Sequence, residues 1–466
     1  MKTLTRLADA AAVVFAVAGA FVLLFGPVSI SFGPFPLRVT GADRLLFVAV
    51  ALVAIRHAAH PSDPLHVRLA RVLRASPNSA SGIARSAVAS RLAVLLVGYL
   101  GLVTVGLAAD TTGFVVSADP VLNLPARFDA GWYGTIALEG YSFQGRFDRQ
   151  QNVAFFPAFP LIARIAGYPL GAFAGNVPKE RRLARVLWAG VFVSIAAFAW
   201  GCVYFWRLAR DMIGDERASD AVALLAAYPF AVYFSAPYTE SLFLLGTVAA
   251  FYHFRRGELA RAAAWGLLVG LTRPNGCFLS IVLGVLAIQQ VAQSPNRQIT
   301  RSLPPSLLAA SAPGVGMLLF SGYVKHLTGQ WFGWARLHET WGRTFSGLAP
   351  VAEGYAHISR QGLLQAVEAA PYDAMNAFAL IFALALLWPV VRRTGWACGT
   401  LVLVNVLPPL VAGGVLSMGR ITATIFPLFL TLAAMLPQRA TTSFVTAFAL
   451  GQGLATVLFF TWRPLF

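Results

Sequence analysis

Apolar runs separated by short polar breaks recur along the whole chain, and about thirteen of them have the length a helix needs to cross a bilayer core. The first covers about residues 9–30 behind a basic start, the second about 40–55, and the third about 92–109. Further runs centre near residues 196, 228, 247, 267, 284, 314, 382, 404, 429 and 452. No small-x-small cleavage site closes the first run at a signal-peptide distance, so it reads as a retained anchor. The stretch 153–174 is apolar enough to cross, but it carries Arg164 and several prolines. It is expected as helices lying in or near the outer interface. The pattern predicts an all-α polytopic membrane protein.

Charge supports this and sets the orientation. Hydrophobic residues make up 58% of the chain and charged residues only 12%, about half the charge of an ordinary soluble domain, and mean hydropathy is +0.68. A soluble globular enzyme, a disordered chain and a nucleic-acid reader are excluded. The net charge of +17 comes from short arginine clusters between apolar runs, the mark of cytoplasmic loops. One such loop holds Arg56, Arg68, Arg71, Arg74, Arg85 and Arg91. With that loop inside, Arg207 and Arg210, Arg255, Arg256 and Arg261, Arg297 and Arg301, Arg392 and Arg393, and Arg439 all fall inside too. Two long segments, 110–185 and about 325–371, then lie outside. Long loops in an otherwise tight protein are usually functional, so any chemistry is expected on the outer face. The organisation expected is an N-terminal two-span extension over 1–91 and a transmembrane catalytic domain over 92–466.

The candidate chemistry gathers in a few motifs. The patch from Arg127 to Tyr133 places Asp129 among Phe128, Trp132 and Tyr133. A carboxylate in such a partly desolvated setting suits a general base acting on a hydroxyl, with aromatic faces on which a sugar stacks. An N-cap on a helix starting at Ala130 is the structural alternative. Glu240 follows Tyr238 and Thr239 at the outer turn of a helical hairpin, where a solvated turn residue and a site residue are both open readings. Arg273, with Asn275 behind it, and Arg420 are lone arginines at outer ends of spans, against the positive-inside trend. Two guanidinium groups on one face would make a phosphate clamp, although snorkelling explains either one singly. The segment 329–343 adds Arg336, His338 and Arg343 with Trp331, Trp334 and Trp341, as a sugar or headgroup platform or an interfacial helix. There is no phosphate-binding glycine loop and no Asp-x-Asp to hold a metal against a nucleotide sugar. His57, His60 and His66 beside Asp63 read as solvated loop histidines, and Cys202, Cys277 and Cys398 as buried hydrophobes, so no metal and no cofactor are expected.

The ordered series FDAGWYGTIALEGY, NVAFFPAFPLIARI, YPFAVYFSAPYTESLF, GLTRPNG and SMGRITATIFP resembles the membrane mannosyltransferases that add the second mannose in glycosylphosphatidylinositol assembly, and their bacterial relatives. It spans about residues 92–437. Phe128 stands where that family commonly has tryptophan, Pro274 where serine is usual, and Ile421 where tyrosine often follows the arginine. The resemblance implies a GT-C fold with interfacial helices in a large first outer loop. It also implies a polyprenyl-phosphate hexose donor, a glycolipid or lipid-linked glycan acceptor, and transfer on the extracytoplasmic side of a bacterial plasma membrane. Asp129 falls on the family's acidic residue, and Glu240, Arg273 and Arg420 on its polar motif positions. A lipid-linked sugar flippase is the rival class. Its signature would be charge within the spans and paired broken helices near mid-membrane, whereas here the charges collect at outer ends.

Overall fold

A computed structural model describes residues 2–25, 28–32, 35–39, 41–59, 78–109, 114–175, 177–292 and 303–465. His60, Asp63, His66, Arg68, Arg71, Arg74, Asp110, Arg297 and Arg301 lie outside the described residues.

The described chain is helical apart from one antiparallel hairpin, Val28–Phe32 with Phe35–Val39, which joins the helices Lys2–Phe25 and Ala42–Ala59. Those two helices pack chiefly against each other, clipped by an Arg56–Asp9 ion pair of 2.8 Å. Seven helices among the described residues are continuous, long and apolar enough to cross a membrane: Ala80–Val105, Lys179–Ile213, Pro274–Ala292, Leu303–Thr328, Pro371–Thr394, Trp396–Gly413 and Gln438–Phe460. A further apolar pair, Asp215–Ala227 and Pro229–Ser235, is bent by 81° at its break. The thirteen expected runs therefore include several that fold as short or bent pieces, because an apolar stretch need not be one helix. Glu240–Arg255 has 16 residues, Leu259–Gly270 has 12 and Phe426–Met435 has 10. Within 153–174 the chain forms the helix Ala158–Gly167, about 15 Å long and half of what a bilayer core requires.

Local chemistry explains where helices start and stop. Ser79 caps Ala80–Val105 by accepting from the Gly82 N–H at 3.1 Å, and Gly106 ends it at φ +77°, a conformation only glycine adopts cheaply. At the break, Pro229 cannot donate a helical hydrogen bond. Unpaired carbonyls inside a membrane would cost several kcal/mol each, and buried polar side chains take them up. Arg91, fully buried, donates to Ala226 O at 2.6 Å and to Ala231 O. Gln452 donates to Ala226 O and also to Tyr228 O, both at 2.9 Å, the latter accepting from the Ala231 N–H as well at 2.8 Å.

Between apolar helices in lipid, association rests on close packing and small residues. Leu259–Gly270 and Leu303–Thr328 cross so tightly that a Cβ on Gly270 would lie 1.9 Å from the Pro313 carbonyl oxygen. Gly276 turns under Val269 with as little room, since a Cβ there would sit 2.2 Å from the Val269 oxygen. These contacts fix the turn that carries Arg273. The core is aromatic, with Phe198, Phe205, Phe234, Phe251, Phe254 and Phe426 fully buried.

Candidate functional site

Asp129 is set by an unusual turn. Phe128 has φ +44°, strained for a bulky residue, and its ring lies against Phe459 and Trp462. The turn brings the Asp129 N–H within 3.1 Å of the Tyr238 hydroxyl, which accepts from it and itself donates to Arg127 O at 2.8 Å. Asp129 stands at the N-cap of Ala130–Glu139, yet its side chain makes no cap hydrogen bond. Its Oδ2 instead accepts from Arg420 Nη1 at 2.6 Å. Three other acids of the same loop are spent locally. Asp119 caps Pro120–Asn123, Glu139 pairs with Lys179, and Asp148 pairs with Arg146.

Glu240 begins the helix Glu240–Arg255 with its side chain fully enclosed, so the solvated-turn reading does not hold. Oε1 receives Arg273 Nη2 at 2.7 Å and Arg420 Nε. Arg273 comes from an extended residue between Leu259–Gly270 and the Pro274–Phe278 turn and lies 5.2 Å from the Phe243 ring. Arg420 sits on the short helix Met418–Ala423, entered through Ser417 at φ +61°. That helix is held by the Gly419 N–H, which donates to Asn376 Oδ1 at 2.9 Å, and by the Phe230 ring, which leaves no space for a side chain at Gly419. The Arg420 guanidinium lies 4.7 Å from the Tyr238 ring and 5.5 Å from the Tyr233 ring, positions that favour a cation.

The second long loop closes over this cluster. Arg343 donates through Nη2 to Leu416 O at 2.9 Å, next to the Ser417 turn. Burial, and then the charges of Arg420 and Arg273, lower its pKa to about 10, so it stays charged at neutral pH. His338 is pushed down to about 4 by burial and by Arg343 and is neutral. Burial raises the Tyr133 phenol to about 12, which keeps it a donor. The two long loops interlock through aromatic rings. Trp132 stacks on Phe155 at 5.8 Å and meets the edge of Trp341 at 5.8 Å. Arg336 covers Phe147 at 4.7 Å and is exposed there, away from the acidic pair. Arg273 Nη1, Arg343 Nη1, His338 Nε2 and Glu240 Oε2 are buried around the cluster without a hydrogen-bond partner among the described residues.

The sequence candidates thus divide. Asp129, Glu240, Arg273 and Arg420 meet directly, with Arg343 and Tyr133 beside them. Asn275 donates to Asn405 at 2.6 Å, tying two helices together. Arg127 is fully buried and gives its donors to the carbonyls of Phe460, Asn123 and Ala126. It therefore builds the loop rather than offering a substrate contact. Tyr238 and Asn376 were missed as site residues. The signal for Asn376 was a lone amide inside an apolar span, which needs a partner there; nothing in the pattern marked Tyr238 as more than a neighbour of Glu240.

These elements define a polytopic α-helical integral membrane protein whose long loops and helix ends converge on paired carboxylates and arginines. Residues 111–326 match the family described as mannosyltransferase (PIG-V), a stretch that includes Asp129, Glu240 and Arg273 and ends before Arg343 and Arg420. The resemblance read from the motifs is borne out over that stretch, a little under half of a membrane-spanning chain. No curated protein matched the chain.

Proposed function

We propose that the protein moves a hexose, mannose by its family, from a polyprenyl-phosphate sugar to a hydroxyl of a glycolipid or lipid-linked glycan on the extracytoplasmic face, with inversion at the anomeric carbon. The observation that carries this reading is the meeting of Asp129, Glu240, Arg273 and Arg420, drawn from four separate motifs into one ion-paired cluster. In the reaction, a carboxylate oxygen of Asp129 takes the acceptor's hydroxyl proton as the hydroxyl oxygen bonds the anomeric carbon. The bond to phosphate breaks and its electron pair leaves with the lipid phosphate.

The charge balance suits each stage. Arg273, Arg343 and Arg420 face the carboxylates of Asp129 and Glu240, leaving one excess positive charge for the phosphodiester of the donor. Once Asp129 is protonated the excess is two, which matches the dianionic monoester that departs. Fixed cations placed where charge develops are commonly the largest catalytic contribution, and the unpartnered Nη1 atoms of Arg273 and Arg343 are free to serve phosphate oxygens.

Helix direction supports the face. Glu240–Arg255 runs from the cluster to Arg255 and Arg256, and Leu259–Gly270 returns from beside them to Arg273. The basic loop and the site therefore lie at opposite ends of one hairpin, about 24 Å apart along a 16-residue helix.

The test uses solubilised protein, without a sealed compartment, and labelled mannose on polyprenyl phosphate with native membrane lipids as acceptors. Wild type is expected to transfer the label, and Asp129→Asn to fold normally while losing about 10² to 10⁴ in rate, the range of general-base action. Near-normal transfer by Asp129→Asn ends the assignment of the base, and absence of transfer by wild type from every polyprenyl-phosphate hexose ends the donor class.

A further inference from the structure

Arg420 is divided between two acids that hold it unequally. Glu240 takes the Nε side of the guanidinium from a fully enclosed position and is itself anchored by Arg273. Asp129 takes the Nη1 tip, is 27% exposed, and lies on a loop entered through the strained Phe128 turn. A carboxylate whose Oδ2 already accepts from a guanidinium is poorly placed to accept a hydroxyl proton through that oxygen. A phosphate, with more charge and more acceptor oxygens, competes well for a forked donor.

Resting on the reading above, we propose that Arg420 is a shared cation: the donor's phosphate draws its Nη1 tip away from Asp129, so that the base is freed only once the donor is seated. Glu240 is then a positioning residue and not a substrate contact. It keeps Nε in place, so the guanidinium pivots over the Tyr238 and Tyr233 rings, 4.7 and 5.5 Å away, without leaving the site. Donor binding precedes productive acceptor binding as a consequence. No covalent step is added; one ion pair is exchanged for another of the same sign.

The experiment is a structure of the full chain in lipid nanodiscs with a synthetic polyprenyl phosphate, which lacks the sugar and cannot react. The expected result puts Arg420 Nη1 within about 3 Å of a phosphate oxygen, a charge-assisted distance, with Nε still on Glu240 and Asp129 released. Phosphate bound by Arg273 or Arg343 while Arg420 stays on Asp129 overturns the exchange and leaves the transferase reading intact. Phosphate bound away from all three arginines overturns both. A second measurement addresses Glu240. Glu240→Gln, compared per folded molecule, is expected to lower kcat at least about tenfold with a smaller change in donor KM, the pattern of a lost transition-state alignment. An unchanged kcat per folded molecule removes the positioning role.

Discussion

A carboxylate at the N-cap of a helix ordinarily accepts from the free N–H groups of the first turn. Asp129 occupies that position and turns its side chain instead to Arg420, 291 residues later in the chain. The positive φ at Phe128 is what aims it, and strain of this kind persists where surrounding structure over-determines it. His338 is a second residue whose setting has a measurable consequence. Its pKa of about 4 lies below the ordinary value of 6.5, so on acidification the unfolded chain binds a proton that the folded chain refuses. Stability is therefore expected to fall as pH drops from about 6.5 toward 4, by at most about 3 kcal/mol. Melting temperatures of wild type and His338→Gln across that window check this, since the variant should lose this part of the pH dependence.

Among elements, the bent pair Asp215–Ala227 and Pro229–Ser235 positions the loop that leads to Tyr238 and Glu240. Its freed carbonyls rest on Arg91 and Gln452. Arg91→Met keeps most of the volume and removes the donors. It is expected to lower stability by about 1 to 3 kcal/mol, the cost of leaving a buried carbonyl unpaired, read as a lower melting temperature in detergent. Gln452 still covers Ala226 O, so the loss should concentrate at Ala231 O. A variant as stable as wild type would show that the break closes without Arg91.

For the whole molecule, the ion-paired cluster is assembled from both long loops, the helix pair between Glu240 and Arg273, and the last third of the chain. The family match ends at residue 326, yet Arg343 and Arg420 complete the charge balance. The N-terminal hairpin of helices stands in a different relation, because Lys2–Phe25 and Ala42–Ala59 pack chiefly against each other. We expect a chain starting at residue 78 to insert, fold and transfer sugar, measured as labelled product per folded molecule. Loss of transfer by a stable truncated chain would make the hairpin part of the working enzyme.

Long apolar runs, arginine clusters between them and lone polar residues at their ends are local properties, so the membrane class, the helical fold and the identities of Asp129, Glu240, Arg273 and Arg420 as candidates were legible in the sequence. The same local signal left the number of continuous spanning helices open, because an apolar run at Pro229 or Phe426 does not reveal whether it forms one helix or a bent pair. It also left Asp129 open between cap and base, and Glu240 between solvent and site. Those choices depend on which side chains meet across hundreds of residues. The tight crossing at Gly270 and Pro313, the Ser417 turn and the packing of Phe230 on Gly419 brought the arginines to the acids. Ion pairing falls off steeply once groups are separated and solvated, so only the tertiary structure could decide that these charges act together.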